Sequence, residues 1–161
     1  MKSTPAAQAF NAQGMRIAVI AARWNDDVVA PMLECAESML SKANVATHAT
    51  FRVPGAYELP LAAKWLAQGG EFDGIVALGA VIRGETPHFE YVCNECARGL
   101  SDVQLEYDVP VGFGLVTANN DAQAMARAGG AVGNKGEEAT LAVIEMIALR
   151  DALGVSLSGS A

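Results

Sequence analysis

Apolar residues are concentrated in four runs along the chain, and polar or glycine-containing sequence follows each run. Runs of this length predict strands buried in a parallel sheet. Between the runs, apolar residues recur three and four positions apart, as on one face of a helix. We therefore predict an α/β fold, a flavodoxin-like three-layer α/β/α sandwich with a central four-stranded parallel sheet. The predicted strands are Met15–Ala22, the less apolar Val45–Val53, Ile75–Ile82 and Val109–Thr117.

Polar residues and glycines mark where the predicted helices begin and end. Asp26 follows the first strand and is placed to cap the next helix. Thr86 is a favourable N-cap residue, and Pro87 suits the first helical position because that position needs no N–H donor. The Gly-Gly pair at 69–70 ends the helix after the second strand. A glycine-rich loop at 129–136 precedes the long final helix.

The chain of 161 residues has a length typical of one domain. We place that domain at residues 15–154. Residues 1–14 are small and mostly polar, and we predict an N-terminal arm that is either loose or laid on a neighbouring subunit. Residues 155–161 are predicted to form a frayed C-terminal tail. The sequence shows no internal repeat.

Composition and charge argue against several classes of protein. The net charge is −7, and no block of Lys or Arg offers the basic face that nucleic acids or anionic membranes attract. No apolar run is long enough to span a membrane, and the start lacks the apolar stretch of a signal peptide. Three cysteines, an odd number, suit a reducing cytoplasm better than a disulfide framework. We therefore expect a soluble cytoplasmic protein that binds neither nucleic acid nor membrane.

Residues able to do chemistry follow several of the predicted strands, and such loops gather at one edge of a parallel sheet. His88 lies in the first helical turn after the third strand, beside free N–H groups that can bind an anion. Trp24 follows the first strand, where it either packs at the rim or stacks on a planar ligand. Gly55 and Ala56 follow the second strand and leave main-chain groups open to a ligand. Together they predict a ligand site around His88.

Phe113 lies within the fourth predicted strand, between Gly112 and Gly114. Glycines in a strand interior indicate that something approaches that face closely. Because Phe113 is not at the strand end, it belongs either to this ligand site or to a different edge or a partner subunit.

Cys93-Asn-Glu-Cys96 has the C-x-x-C spacing of redox and zinc sites. Both sulfurs fall inside a predicted helix, on the apolar stripe that contains Phe89 and Leu100, whereas a redox thiol belongs at a helix start. The sequence offers no second pair of ligands at zinc-site spacing. We therefore predict that these cysteines pack in the core.

The glycine-rich loop at 129–136 contains Lys135 but does not match a nucleotide-binding motif. The lysine is followed by glycine rather than by a hydroxyl residue, and no predicted strand leads into the loop. Nucleotide hydrolysis is therefore not predicted. The second histidine, His48, is predicted to be an ordinary surface or strand-edge residue.

Several longer motifs occur together in this chain: Arg23-Trp24-Asn25, Val53-Pro-Gly-Ala-Tyr-Glu-Leu-Pro60, Leu78-Gly-Ala-Val-Ile-Arg-Gly-Glu-Thr-Pro-His88, Tyr91-Val-Cys-Asn-Glu95, and Arg127-Ala-Gly-Gly followed by Gly133-Asn-Lys-Gly136. In order and spacing they resemble the 6,7-dimethyl-8-ribityllumazine synthase family. The resemblance covers nearly all of residues 15–152, and it is specific because several long motifs agree.

The resemblance implies a transferase that catalyses the penultimate step of riboflavin biosynthesis. In that reaction 5-amino-6-(D-ribitylamino)uracil condenses with 3,4-dihydroxy-2-butanone 4-phosphate to give 6,7-dimethyl-8-ribityllumazine, inorganic phosphate and water. The two small molecules are the implied binding partners. No cofactor and no metal are implied.

The resemblance also assigns roles to individual residues. His88 is the implied general acid and base. The implied phosphate site consists of Glu85, Thr86 and Arg127. Trp24 stands where the family usually has phenylalanine, a departure that keeps an aromatic face for stacking. The implied substrate-binding residues are Trp24, Asn25, Ala56, Tyr57, Glu58, Ala80, Val81, Ile82, Phe113 and Lys135.

Assembly is a further implication of the resemblance. Family members form homopentamers with shared active sites, to which Phe113, Arg127 and Lys135 come from a neighbouring subunit. Many pentamers close further into icosahedral shells of sixty subunits. The connection at 129–136 has no insertion relative to the shell-forming pattern, although Ala131-Val132 replaces the lysine-containing sequence common there. We therefore expect a pentamer and its closure into a shell.

Two other functions fit parts of the sequence. A flavin or lumazine carrier on the same fold would use Trp24 for stacking, but it has little use for His88 beside a separate phosphate site. A shell protein whose catalytic function has decayed is the other alternative, and the intact set of site residues argues against it.

Overall fold

The computed structural model describes residues 11–155. Residues 1–10 of the predicted arm and residues 156–161 of the predicted tail lie outside the described residues. Within the arm, Ala12 is fully buried in the core, and its main-chain oxygen accepts a hydrogen bond from the N–H of Met15 at 3.1 Å. The chain thus packs against the sheet before the predicted start of the domain at residue 15.

The predicted strands form one four-stranded sheet in the order β2-β1-β3-β4, and every neighbouring pair is parallel. Central strands β1 and β3 are almost wholly buried, whereas edge strand β2 is mostly exposed. This strand order is that of flavodoxin-like sheets, so the predicted fold class is confirmed. The strands are β1 (Arg16–Ala22), β2 (Thr47–Val53), β3 (Gly74–Ile82) and β4 (Val111–Ala118).

Helices cover both faces of the sheet and create two apolar cores. Alternate residues of β1 point to opposite faces: Ile17 and Val19 lie in the core under α1 and α5, and Ile20 lies in the core under α2 and α3. Within residues 11–155, every helix falls short of the length or apolar character that crossing a membrane requires. The helices are α1 (Asp26–Lys42), α2 (Leu59–Gly69), α3 (His88–Tyr107), the short α4 (Asp121–Ala126) and α5 (Lys135–Ala152).

The two glycines beside Phe113 allow helix α5 to lie close to strand β4. A Cβ atom on Gly112 would come within 2.5 Å of the main-chain oxygen of Ala139, and one on Gly114 within 2.7 Å of the main-chain oxygen of Ala77. Residues two apart share a face of a strand, and Phe113 points the other way. The close approach indicated by the glycines is therefore that of the chain's own helix and strand.

Three local predictions are wrong in detail. The N-cap of α1 is Asn25, and Asp26, the predicted cap, is the first residue of the helix. The N-cap of α3 is Pro87, and His88 is the first helical residue. The predicted loop at 129–136 contains a short antiparallel hairpin, β5 (Ala128–Gly130) with β6 (Gly133–Asn134). The long helix after it is confirmed.

Candidate active site

The carboxyl ends of β1, β2 and β3 open into a cleft of about 330 Å³. This edge of a parallel sheet is where loops converge and ligands bind. The cleft contains ten of the residues expected from the sequence, Gly55 and nine others, and Val92 completes its lining. The nine are Trp24, Asn25, Ala56, Tyr57, Glu58, Ala80, Val81, Ile82 and His88.

The turn after β1 presents Trp24 at the mouth of the cleft. Main-chain hydrogen bonds from Arg23 to the oxygen of Val53 (2.8 Å) and from Trp24 to the oxygen of Pro54 (3.0 Å) join this turn to the end of β2. The Trp24 side chain is 74% exposed. Of the two interpretations left open by the sequence, this exposure favours a stacking surface over rim packing.

The turn after β2 forms the second wall as a short 3₁₀ helix, Ala56–Glu58. Ala56 is buried beneath the cleft and Tyr57 is exposed beside it. At Gly55 a Cβ atom would lie 3.3 Å from Oε2 of Glu58 and 4.0 Å from Cβ of Trp24. The bare main chain at Gly55 therefore leaves room between the Glu58 carboxylate and the base of the Trp24 side chain.

His88 lies at the start of α3 with an exposed side chain that lines the cleft. Its N–H donates to Oγ1 of Thr86 at 3.5 Å, a long hydrogen bond made by the residue predicted as the cap. Glu85 and Thr86 are exposed in the preceding loop. The imidazole is thus reachable from solvent, beside a helix start that favours negatively charged groups.

Sequence reasoning did not single out Arg83, which organises the loop between β3 and α3. Its guanidinium is ion-paired with Glu90, donates from Nε to Oδ1 of Asn119 at 3.0 Å and lies 4.4 Å from the centroid of the Phe89 ring. The hydrogen bond from Arg83 is the main cause that holds the pKa of Glu90 below its ordinary value. The Arg83–Asn119 contact joins residues distant in sequence, so helical spacing gives no signal of it.

Phe113, Arg127 and Lys135 lie away from the cleft that this chain forms. Phe113 is 50% exposed and lines a separate hollow of about 180 Å³ between β4 and α3. Arg127 follows α4, and its Nη1 donates to the main-chain oxygen of Gln123 at 2.8 Å. Lys135 begins α5, with its ammonium 2.6 Å from Oε2 of Glu138.

Arg127 and Lys135 are nevertheless close to each other. The N–H of Lys135 donates to the main-chain oxygen of Arg127 at 2.9 Å, across the ends of the β5–β6 hairpin. The hairpin missed by sequence reasoning therefore brings together two of the residues that the resemblance assigns to a neighbour's site.

The prediction that both cysteines of the C-x-x-C motif pack in the core is confirmed for Cys96 only, because Cys93 is not part of that core. Cys96 is fully buried, and burial, with a smaller effect from Cys93, raises its pKa to about 12. Cys93 is half-buried, and burial raises its pKa as well. A thiol that stays protonated is a poor nucleophile. Among the residues described, no group of three or more His, Cys, Asp or Glu side chains is arranged to hold a metal ion.

Comparison with known proteins identifies the family. A family model described as 6,7-dimethyl-8-ribityllumazine synthase matches residues 14–151. The chain is 50% identical over 141 residues to the 6,7-dimethyl-8-ribityllumazine synthase of Ruthia magnifica subsp. Calyptogena magnifica (83% of this chain, 84% of the relative).

Proteins of the same name from two other bacteria are also similar. Identity is 44% over 146 residues with the protein of Desulfovibrio desulfuricans and 46% over 146 residues with that of Nitratidesulfovibrio vulgaris (strain DP4). Each alignment covers 89% of this chain and 94% of the relative. The family model spans nearly the whole described chain, and the chain belongs to the 6,7-dimethyl-8-ribityllumazine synthase family.

Proposed function

We propose that this chain is a transferase that condenses 5-amino-6-(D-ribitylamino)uracil with 3,4-dihydroxy-2-butanone 4-phosphate, and that the cleft around His88 is where it does so. The products are 6,7-dimethyl-8-ribityllumazine, inorganic phosphate and water. One observation carries the assignment of the site: an exposed indole, open main-chain groups and an imidazole line the same cleft of about 330 Å³.

The pyrimidine substrate has a flat ring and a polar ribityl chain, and the cleft offers a complement to each. Trp24 presents its indole face for stacking on the ring. The main chain and side chains at Ala56–Glu58 and the end of β3 at Ala80–Ile82 line the rest of the cleft. Past Leu78, β3 has no strand partner on its β1 side. Apart from the oxygen of Ala80, which accepts a hydrogen bond from Asn25, main-chain groups on that side can therefore serve the ring edge and the ribityl hydroxyls.

The phosphate of the second substrate fits the loop before α3. The N–H groups at a helix start favour an anion, and Thr86 adds a hydroxyl there. Glu85 also lies in this loop, where its main-chain N–H is the useful group because its carboxylate would repel the phosphate. Arg127 is proposed to supply the charge-assisted hydrogen bonds from a neighbouring subunit.

His88 is proposed to move the protons of the reaction. Imine formation between the amine and the ketone, elimination of phosphate and ring closure each need a proton accepted or donated, and an imidazole does both near neutral pH. Such catalysis supplies about 3–5 kcal/mol. Holding two substrates in reacting geometry can supply roughly 7–11 kcal/mol, so positioning is proposed to give most of the rate enhancement.

We propose that the protein is a cytoplasmic homopentamer and that twelve such pentamers assemble further into an icosahedral shell of sixty subunits. Support comes from the position of Phe113, Arg127 and Lys135, which are assigned to the site by the resemblance yet lie outside the chain's own cleft. A ring of subunits in head-to-tail contact would present each chain's hairpin to the next chain's cleft. Light scattering on the purified protein distinguishes a monomer, a pentamer and a shell.

The activity is tested by mixing both substrates with the purified chain and recording the fluorescence of the lumazine above the uncatalysed background. Formation proportional to enzyme concentration is expected. A protein that purifies yellow, binds lumazine or flavin at Trp24 and shows no turnover would instead be the carrier considered from the sequence.

A further inference from the structure

Arg83 is held by three groups that come from two different parts of the chain. Glu90 and Phe89 belong to the first turn of α3, and Asn119 belongs to the turn after β4. The guanidinium makes an ion pair with Glu90, stacks over the Phe89 ring at 4.4 Å and donates from Nε to Oδ1 of Asn119 at 3.0 Å. The main-chain N–H of Arg83 also donates to the oxygen of Ala118 at 2.9 Å.

The hydrogen bonds continue from Asn119 to Arg127. The N–H of Asn119 donates to Oε1 of Gln123 at 2.8 Å, and the main-chain oxygen of Gln123 accepts from Nη1 of Arg127 at 2.8 Å. An unbroken series of polar contacts therefore leads from Glu90, which follows His88 by two positions, through Arg83, Asn119 and Gln123 to Arg127.

We propose that Arg83 is a positioning residue for the reaction. It holds the start of α3, which carries His88, against the turn after β4, which in turn holds Arg127. The inference rests on the proposed function, because that function gives His88 and Arg127 their roles. In a ring with shared sites the two would serve adjacent clefts, so one arginine would orient groups for two sites.

The geometry favours this role over direct binding of phosphate. The guanidinium is 4.4 Å from the Phe89 ring centroid, and two of its donors are already engaged by Glu90 and Asn119. Its charge is thus paired within the chain. The planar guanidinium can donate to both Glu90 and Asn119 while it stacks on the Phe89 ring, and the ammonium group of lysine cannot. Arginine is therefore required, and charge alone is not enough.

The two sides of Arg83 are expected to have separable kinetic effects. Glu90→Gln loosens the start of α3 beside His88 and is expected to lower kcat by about fivefold to tenfold with little change in KM. Asn119→Ala loosens the turn that holds Arg127 and is expected to raise KM for the phosphorylated substrate by a similar factor with little change in kcat. Arg83→Gln is expected both to lower kcat and to raise KM for the phosphorylated substrate. Arg83→Lys is expected to bring neither kcat nor KM back to the wild-type value.

Arg98→Gln is the matched control. Arg98 lies on the same helix, α3, and makes two ion pairs, with Glu95 at 2.6 Å and with Asp102 at 2.8 Å, but it does not line the cleft. Its substitution is expected to leave both kinetic parameters unchanged. Equal effects of Arg98→Gln and Arg83→Gln, or full activity in Arg83→Lys, would overturn the positioning role.

A measurement without substrates separates this inference from the proposed function. Amide hydrogen exchange in Arg83→Gln is expected to accelerate both at residues 84–90 and at residues 119–127, whereas Arg98→Gln is expected to change neither. Acceleration on one side only, or on neither, contradicts the inference even if the wild-type chain makes lumazine. A wild-type chain that makes none contradicts the proposed function, whatever the exchange shows.

Discussion

Asn25 donates a hydrogen bond from Nδ2 to the main-chain oxygen of Ala80 at 2.9 Å. It thereby joins the turn after β1, which carries Trp24, to the end of β3. Asn25 has φ 58° and ψ 47°, in the left-handed region that asparagine tolerates better than most residues. The resemblance implies that the side-chain amide of Asn25 contacts substrate. In the structure one N–H of that amide is used within the protein instead, by the oxygen of Ala80.

Substitution of Asn25 separates the backbone conformation from the hydrogen bond. Asn25→Ala loses both, and we expect the free energy of unfolding to fall by about 1.5–3 kcal/mol. Asn25→Gly keeps the left-handed conformation without strain, and we expect a loss of about 1 kcal/mol. Urea unfolding of the two variants measures the difference. Equal losses would mean that the backbone conformation at this turn does not matter.

Gly112→Ala tests the close contact between β4 and α5. The new methyl group would lie 2.5 Å from the main-chain oxygen of Ala139 and 2.8 Å from Cγ2 of Val143. Because the oxygen belongs to the helix backbone, the helix itself must move, and we expect a loss of about 1–3 kcal/mol in thermal or urea unfolding. Gly69→Ala is the control: nothing lies within 4 Å of its Cβ position, so we expect a neutral or slightly stabilising change.

The sheet could be predicted from the sequence because each buried strand is marked by a local run of apolar residues. The segments Ile17–Ala22 and Ile75–Ala80 are buried without interruption, and continuous burial is what a parallel strand between two helical layers requires. Helix starts were less predictable. Asp26 and Asn25 are both good cap residues, and the choice depends on the contact of Asn25 with Ala80, which only the tertiary fold supplies.

The site was predictable where its residues follow strand ends and unpredictable where it depends on contacts across the chain. Trp24 and His88 reach the cleft because parallel strands end at one edge. The hairpin beside Lys135 has strands of three and two residues, too short for any periodicity. The Arg83–Asn119 contact needs β3 and β4 to be neighbours, which the order of elements along the chain does not fix.

Cys96 gives a prediction about pH. Burial raises its pKa from 9.0 to about 12, so between these values the unfolded chain has lost a proton that the native protein keeps. The free energy of unfolding is therefore expected to fall as pH rises above 9, with full stability below it. The slope should disappear from this region in Cys96→Ala, apart from smaller contributions of Cys35 and Cys93, whose pKa values are also raised by burial.

Thiol labelling at pH 8 checks the same assignment. In the native protein Cys96 is expected to resist a disulfide reagent that reacts with it at once in urea. A Cys93–Cys96 disulfide formed by oxidised glutathione under native conditions would instead support the redox function that the C-x-x-C spacing suggests.

His88→Ala is expected to lower kcat by about 10²-fold and to leave KM for both substrates within about threefold. The residual activity is expected because substrate positioning by the rest of the cleft is kept. His48→Ala is the matched control: this exposed histidine on β2 has its Nε2 3.5 Å from Oγ of Ser41 and lies outside the cleft. Complete loss of turnover in His88→Ala with normal substrate binding would show that positioning contributes less than proposed.

Shared active sites predict complementation between two slow variants. Arg127→Ala is expected to raise KM for the phosphorylated substrate strongly, since a charge-assisted contact is lost, and His88→Ala lowers kcat. If a cleft takes His88 from its own chain and Arg127 from the next, random co-assembly of the two variants in equal amounts gives about one quarter of clefts with both residues intact.

The measurement is activity after the two variants are unfolded together and refolded, compared with the same mixture prepared from separately refolded proteins. We expect only the co-refolded sample to gain activity, because mixed rings form only there. If His88 and Arg127 served one site within a single chain, every cleft would carry one defect and co-refolding would add nothing. That result would contradict the shared site that the ring is proposed to form.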